Sequence, residues 1–291
     1  MSTNLHTAAA SIPQQAGVSG LREGVEPVLR ALNLIKEFDS RGSGLLTHRK
    51  SRFRAVDDVT FDLLRGETLA LVGESGSGKS TTARMVAKLI EPTSGRVELE
   101  DVDYSKAGRA DLRVFRRSVQ VVFQDPYSSL NPRHTAEEII TAPLRYQRIP
   151  APAGGDLRSY AKELMQRVGL NPDHSTRHPA QFSGGQAQRI GIARAISVRP
   201  KVVICDEAVS ALDVSVQAQV IDLLKGLQLD GGFSYIFITH DLAVVRQIAH
   251  RVAVMQRGSL VELGRREDVF DSPRHDYTKT LLAAVPRIDV G

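Results

Sequence analysis

The chain has 291 residues, enough for one large domain or two small ones, and its 42% hydrophobic and 24% charged content is that of an ordinary folded protein. No run approaches the ~18 uninterrupted apolar residues of a membrane-crossing helix. Residues 1–20 lack an apolar signal core, so the expectation is a cytosolic protein that meets a membrane only by docking to a partner. The net charge is +5, but apart from residues 48–54 no basic run is interleaved with aromatics, which argues against a nucleic-acid partner. One cysteine, Cys205, excludes an internal disulfide and a Cys-ligated iron–sulfur cluster.

Residues 1–26, rich in Ala, Ser, Gly and Gln without period, read as a mobile tail. Residues 28–35 predict a strand, and 39–50 a polar loop or loose hairpin. Val59, Phe61 and Leu63 alternate with polar residues, as in a half-buried strand. Arg65, Gly66 and Glu67 form a turn into the apolar strand 68–72. Directly after that strand stands Gly73-Glu74-Ser75-Gly76-Ser77-Gly78-Lys79-Ser80, a phosphate-binding loop of the form G-x-x-x-x-G-K-S/T. Its glycines let backbone N–H groups approach phosphate oxygens without a Cβ in the way. Lys79 is suited to the β- and γ-phosphates and Ser80 to Mg²⁺. Residues 81–90 have helical spacing, with Met85, Val86 and Leu89 on one side, and aim a helix N-terminus at the anion.

Val97 and Leu99 mark another short strand, and residues 119–123 an apolar run ending at Gln124. Residues 128–198 read as helical, broken near 150–155 and 171–179. That block is too long for one crossover and predicts an inserted subdomain. Within it, Ser183, Gly184, Gly185 and Gln186 open a helix reaching Arg199. Small residues there suit close approach to phosphate, although taken alone Ser183 reads first as an N-cap. Residues 202–205 form a fully apolar strand, in which Cys205 is a buried, inert thiol. The strand delivers Asp206 and Glu207 at its C-terminal end, where ligands bind in α/β sheets. Asp206 is placed to hold Mg²⁺ and Glu207 to polarise the attacking water. Asp213 reads by itself as the N-cap of a helix over 214–227. The strand 235–239 ends at His240, with a helix over 242–249 after it. Residues 252–255 and 260–263 flank Gln256-Arg257-Gly258-Ser259, a hairpin signal, and helix and loop continue from Arg265. Strands alternating with helices around a phosphate loop predict an α/β fold with a parallel sheet.

Taken in order, these motifs resemble the nucleotide-binding subunit of an ABC transporter over about residues 28–263. Residues 73–80 match the Walker A loop, Gln124 the Q-loop and 183–186 the signature motif. Residues 202–207 match the Walker B strand, 210–213 the D-loop and His240 the switch histidine. Phe38 falls where the family places an aromatic that stacks on adenine. The resemblance implies a P-loop NTPase core with an N-terminal antiparallel β subdomain and an inserted α-helical subdomain at about 126–199. The implied ATPase unit spans 27–263, with a tail at 1–26 and an extension at 264–291.

The implied cofactors are ATP and Mg²⁺. Glu207, His240 and Gln124 take the catalytic roles, and Ser80, Gln124 and Asp206 the metal-binding ones. Nucleotide binding falls to Phe38, Gly73 through Thr81, Ser183, Gly184, Gly185, Gln186 and Asp213. Two such subunits close head to tail on ATP, each signature serving the opposite site.

A finer resemblance is to the dipeptide/oligopeptide and nickel importer branch. It rests on Phe123-Gln124-Asp125-Pro126-Tyr127-Ser128-Ser129-Leu130-Asn131-Pro132-Arg133 and on residues 206–215. The tail Arg274-His275-Asp276-Tyr277-Thr278 is similar to the branch's His-Pro-Tyr-Thr segment, with Asp276 in place of Pro. Ala187 stands where the branch often has Arg. This implies two membrane permeases, a paralogous ATPase as mate, an extracytoplasmic binding protein and a place on the cytoplasmic face of the membrane. Peptide is the expected cargo, with nickel or another small solute as the alternative. A soluble ABC ATPase of translation or DNA repair is the rival from another class.

Overall fold

A computed structural model of the chain describes residues 26–40, 51–152 and 155–284. It opens with the paired strands β1 (Pro27–Ser40) and β2 (Ser51–Leu64), then β3 (Thr68–Val72) and α1 (Lys79–Val86). Strands β4 (Ser94–Leu99) and β5 (Val102–Asp103) are followed by α2 (Arg109–Ser118) and β6 (Val119–Val122). Helices α3 (Pro126–Ser129), α4 (Ala136–Gln147), α5 (Leu157–Arg167) and α6 (Gly184–Ile196) then intervene before β7 (Val202–Asp206). The order continues α7 (Val214–Gly231), β8 (Ser234–Ile238), α8 (Leu242–Ile248), β9 (Arg251–Gln256) and β10 (Ser259–Arg265). Helices α9 (Arg266–Asp271) and α10 (Asp276–Ala283) close it.

Two sheets result. One is antiparallel, in the order β2-β1-β4-β5. The other runs β10-β9-β3-β8-β7-β6, parallel from β9 to β6 with β10 antiparallel at its edge. The central strands are buried on both faces, which is why they read as continuous apolar runs. In β7, Val203 and Cys205 join the core under the helical block, while Val202 and Ile204 join the core shared with the antiparallel sheet. In β3, Leu69 and Leu71 face that shared core, and Ala70 and Val72 face a third cluster built with α8 and α10. Among the described residues, no helix is long and apolar enough to cross a membrane.

Several boundaries differ from the sequence expectation. Strand β1 extends to Ser40 rather than stopping near 35, because Glu37 and Asp39 pair across the hairpin with Arg52 and Arg54. Those cations account for part of the basic run at 48–54; residues 41–50 of the expected loop lie outside the described residues. Helix α1 stops at Val86, since Lys88 turns left-handed at φ 54°, and Leu89 is exposed instead of facing the core. Helix α2 had no apolar stripe to announce it: only Phe115 and Ser118 are buried. The hairpin at 256–259 is as expected, with Arg257 and Gly258 both at positive φ, as a two-residue turn requires.

Candidate functional site

Because β3, β6, β7 and β8 run parallel, the residues after each emerge at one edge of the sheet. This brings together the loop 73–78, Gln124, the pair Asp206 and Glu207, and His240. The loop glycines are required by their neighbours. A Cβ at Gly73, which sits at φ 145°, would lie 2.2 Å from the Met255 carbonyl oxygen. One at Gly78, at φ 103°, would lie 2.6 Å from the Ala55 carbonyl oxygen. The turn between β9 and β10 braces the loop from outside, with the Gly258 N–H donating to the Ser77 carbonyl at 3.0 Å. Sequence reasoning missed Met255 and Gly258 as parts of the site; only the hairpin signal stood near them.

Lys79 opens α1 and is buried. Its ammonium donates to the carbonyls of Gly73 at 2.7 Å and Glu74 at 2.8 Å, and to Ser77 Oγ at 3.4 Å. Burial pushes its pKa below the ordinary lysine value, against the opposing pull of Glu207, Asp206 and Glu74. The cation is therefore held inside the loop where an anionic ligand's phosphates would sit.

Ser80 Oγ, in the first turn of α1, donates to Asp206 Oδ1, at the end of β7, at 2.8 Å. A hydroxyl and a carboxylate side by side are hard oxygen donors. They fit Mg²⁺, which is commonly held by one or two protein groups together with substrate phosphates. Glu207 stands at φ 51°, a left-handed conformation costly for a residue with a side chain. The strain is held by the Glu207 N–H donating to the Ile238 carbonyl at 3.0 Å and by Ser210, whose N–H and Oγ donate to the Glu207 carbonyl at 3.2 and 2.9 Å. His240 Nδ1 lies 3.7 Å from Glu207 Oε1. Gln124 Nε2 donates to Ser210 Oγ at 3.3 Å, so Gln124 reaches Glu207 through Ser210.

A second group lies at the N-terminus of α6. Ser183 Oγ accepts from the Gln186 N–H, and Gln186 Oε1 accepts from the Ser183 N–H, a reciprocal capping box. Asp213 caps α7 by accepting from the Val216 N–H at 3.0 Å. Hydrogen bonding to that N–H and to Ser215 lowers its pKa. A Cβ at Gly185 would lie 2.5 Å from Val216 Cγ1, so Gly185 packs on the start of α7, whereas one at Gly184 would meet nothing within 4 Å. The start of α6, with Ser183 and Gln186, thus meets the Asp213-capped start of α7 through Gly185 and Val216. Among the described residues, no hydrogen bond joins them to the loop at 73–80.

Phe38 belongs to neither group. It pairs with Phe53 across the hairpin, is 44% exposed, and carries the Lys36 ammonium 5.3 Å from its ring centroid. Cys205 is fully buried, and burial with the Asp206 charge pushes its thiol pKa far up, as an inert thiol requires. The remaining surprise is Tyr277 of α10, whose hydroxyl accepts a hydrogen bond from the Glu74 N–H at 3.0 Å.

The family model described as ABC transporter matches residues 56–210. The model described as Oligopeptide/dipeptide transporter, C-terminal region, matches residues 261–291. The chain is 50% identical over 278 residues to the Glutathione import ATP-binding protein GsiA of Escherichia coli K12, covering 96% of this chain and 43% of the relative. The corresponding protein of Shigella flexneri serotype 5b is 51% identical over 261 residues, covering 90% and 41%. The chain thus spans less than half the length of the curated relatives it matches.

Among solved structures, a dimeric ATP-binding cassette in a post-hydrolysis state bound to ADP and Pi superposes with a TM-score of 0.70. It is 28% identical, over 82% of this chain and 98% of that one. The cbiO1 protein of Clostridium perfringens, part of the ABC transporter complex cbiONQ, shares the fold with a TM-score of 0.71 at 24% identity, over 90% and 97%. The ABC transporter match covers more than half of the chain and carries both the phosphate loop and the Asp206–Glu207 strand end, so the chain belongs to the ABC transporter family.

Proposed function

We propose that this chain is the ATP-hydrolysing subunit of a membrane importer of peptides. What supports the hydrolytic part is the convergence of Lys79, Ser80, Asp206, Glu207 and His240 on one sheet edge. The import part rests on the C-terminal region match and on the glutathione import relatives, since glutathione is itself a tripeptide.

In this reading Lys79 and the loop amides hold the phosphates. Ser80 and Asp206, with Gln124 nearby, would hold Mg²⁺, whose charge neutralises the phosphate oxygens when it is bound. Glu207 takes the proton of the attacking water. His240, within reach of the Glu207 carboxylate, keeps that base oriented. Phe38 stacks on adenine, and Thr81 lies beside the phosphates at the start of α1. Ser183, Gly184, Gly185, Gln186 and Asp213 serve the site of a facing subunit, a paralogue.

The relatives are more than twice as long as the stretch they share with this chain, long enough for two units of this size. The ATPase unit is taken as 27–263 with its helical subdomain at 126–199, although the 263/264 boundary falls inside β10. Two permeases, a binding protein and the cytoplasmic membrane face complete the proposal.

A tagged pull-down from native membranes, with mass-spectrometric identification, tests it. Two permeases and a second ATPase are expected. Ribosomal or DNA-repair proteins without permeases would overturn the transport reading. Absence of Mg²⁺-dependent ATP hydrolysis by the recovered complex would overturn the enzymatic one.

A further inference from the structure

We propose that Tyr277 is a positioning residue of the phosphate loop, through which the C-terminal segment sets the affinity of the site for ATP. This rests on the ATP-binding reading above.

One peptide unit, Gly73–Glu74, is held at both ends by side chains. Its carbonyl accepts from the Lys79 ammonium at 2.7 Å, and its N–H donates to the Tyr277 hydroxyl at 3.0 Å. The Met255 carbonyl packs against the same residue, 2.2 Å from where a Cβ on Gly73 would lie. Tyr277 is itself fixed. Its ring is buried with Ala70 and Val72 of β3, the strand that ends in the loop. Its own N–H donates to His275 Nδ1 at 3.2 Å, the cap of α10. At that cap and the residue before it, the Glu262 carboxylate of β10 accepts from the N–H groups of His275 and Arg274 at 3.1 and 2.9 Å. A strap thus runs from β10 through Glu262 into α10 and ends on the loop. It lies within the stretch matched by the oligopeptide/dipeptide transporter C-terminal model.

The strap matters most when phosphates arrive. The three N–H donors of the Lys79 ammonium are all engaged within the loop, so each one that turns to a phosphate oxygen is lost to Gly73, Glu74 or Ser77. The Tyr277 hydroxyl holds the Gly73–Glu74 unit independently of that exchange. Its contribution therefore falls on the bound state of the loop. Among the described residues, no hydrogen bond joins Tyr277 to Glu207 or His240, so its effect is on binding rather than on the chemical step.

The test is Tyr277→Phe in the full chain, which keeps the buried ring and removes only the hydroxyl. Isothermal titration with ATP and Mg²⁺ should show the Kd raised about 3- to 10-fold, the range of one hydrogen bond. In the hydrolysis assay KM should rise by the same factor with kcat within about twofold. A second variant, Glu262→Ala, releases the strap at its other end and should raise the Kd in the same direction. The double variant should be no worse than the larger single one, because both act through one contact. An unchanged Kd in Tyr277→Phe, or a fall in kcat with KM unchanged, would overturn the proposal. So would a lowered melting temperature with wild-type affinity, the mark of a purely structural role. Wild-type chain that binds no ATP would instead overturn the functional reading itself.

Discussion

Glu207 carries the sharpest conflict between local preference and position. Its left-handed backbone is imposed by Ile238 and Ser210, and the strain aims its carboxylate at the edge where Lys79 and His240 meet. As the proposed general base it predicts that Glu207→Gln lowers turnover about 10²- to 10⁴-fold while ATP binding persists. Paired kcat and Kd measurements decide this; near-normal turnover would remove Glu207 from that role. Glycines at the same edge differ in what they tolerate. Gly73→Ala sets a Cβ against the Met255 carbonyl and should cost roughly 1–3 kcal/mol of stability together with nucleotide binding. Gly76→Ala meets nothing within 4 Å and should cost less in urea unfolding, only the left-handed penalty of its φ of 79°. The glycine pattern was legible from sequence, since local spacing carries it. The reason for Gly73 was not, because Met255 lies far along the chain and meets it only through the pairing of β3 with β9.

Between elements, the chain uses a buried ion cluster where β2, β3 and β9 meet. Arg251, wholly buried at the start of β9, donates to Asp62 at 3.0 Å and to Glu67 at 3.3 Å. Burial raises the Glu67 pKa, and Arg251 is the largest influence holding it down. Arg251→Met should therefore destabilise by about 3–5 kcal/mol, the scale of stranding one member of a buried pair. The pH dependence has a defined sign. A carboxyl whose folded pKa lies above its unfolded value costs stability when ionised, and the cost is relieved as pH falls through the folded pKa. The deficit of the variant should be largest near neutral pH and shrink in mild acid, as urea midpoints at the two conditions would show. A constant deficit would mean that Glu67 is not the stranded charge. This cluster was invisible in the sequence, where Glu67 reads only as part of the turn into β3 and nothing marks Arg251, 184 residues away, as its partner. Strands β3, β7 and β8 were legible because burial on both faces leaves an unbroken apolar run. The far end of β1 was not, because it is held by ion pairs across the hairpin rather than by an apolar pattern.

Across the whole molecule, the helical block is tied to the nucleotide edge by the segment after β6, which is stapled to α6 along its length. Tyr127 donates through its hydroxyl to the Phe182 carbonyl at 2.8 Å, Gln188 Nε2 to the Phe123 carbonyl at 3.3 Å, and Arg194 to the Ser129 carbonyl at 2.6 Å. Phe182 directly precedes Ser183, and Phe123 directly precedes Gln124. A push on this segment thus moves the N-terminus of α6 and the Q-loop position together. Tyr127 is 46% exposed, so one edge of it faces solvent while its hydroxyl is engaged. If permeases press on this segment, Tyr127→Phe breaks the staple nearest the Gly-Gly pair without touching the Lys79 loop. Cargo transported per ATP hydrolysed should then fall about 3- to 10-fold, the scale of one hydrogen bond. ATP hydrolysis itself should continue. Reconstitution of the complex in vesicles, with uptake and phosphate release monitored together, measures the ratio directly. An unchanged ratio would show that α6 receives its motion by another route, and a parallel loss of hydrolysis would place Tyr127 within the nucleotide site instead of between it and the membrane.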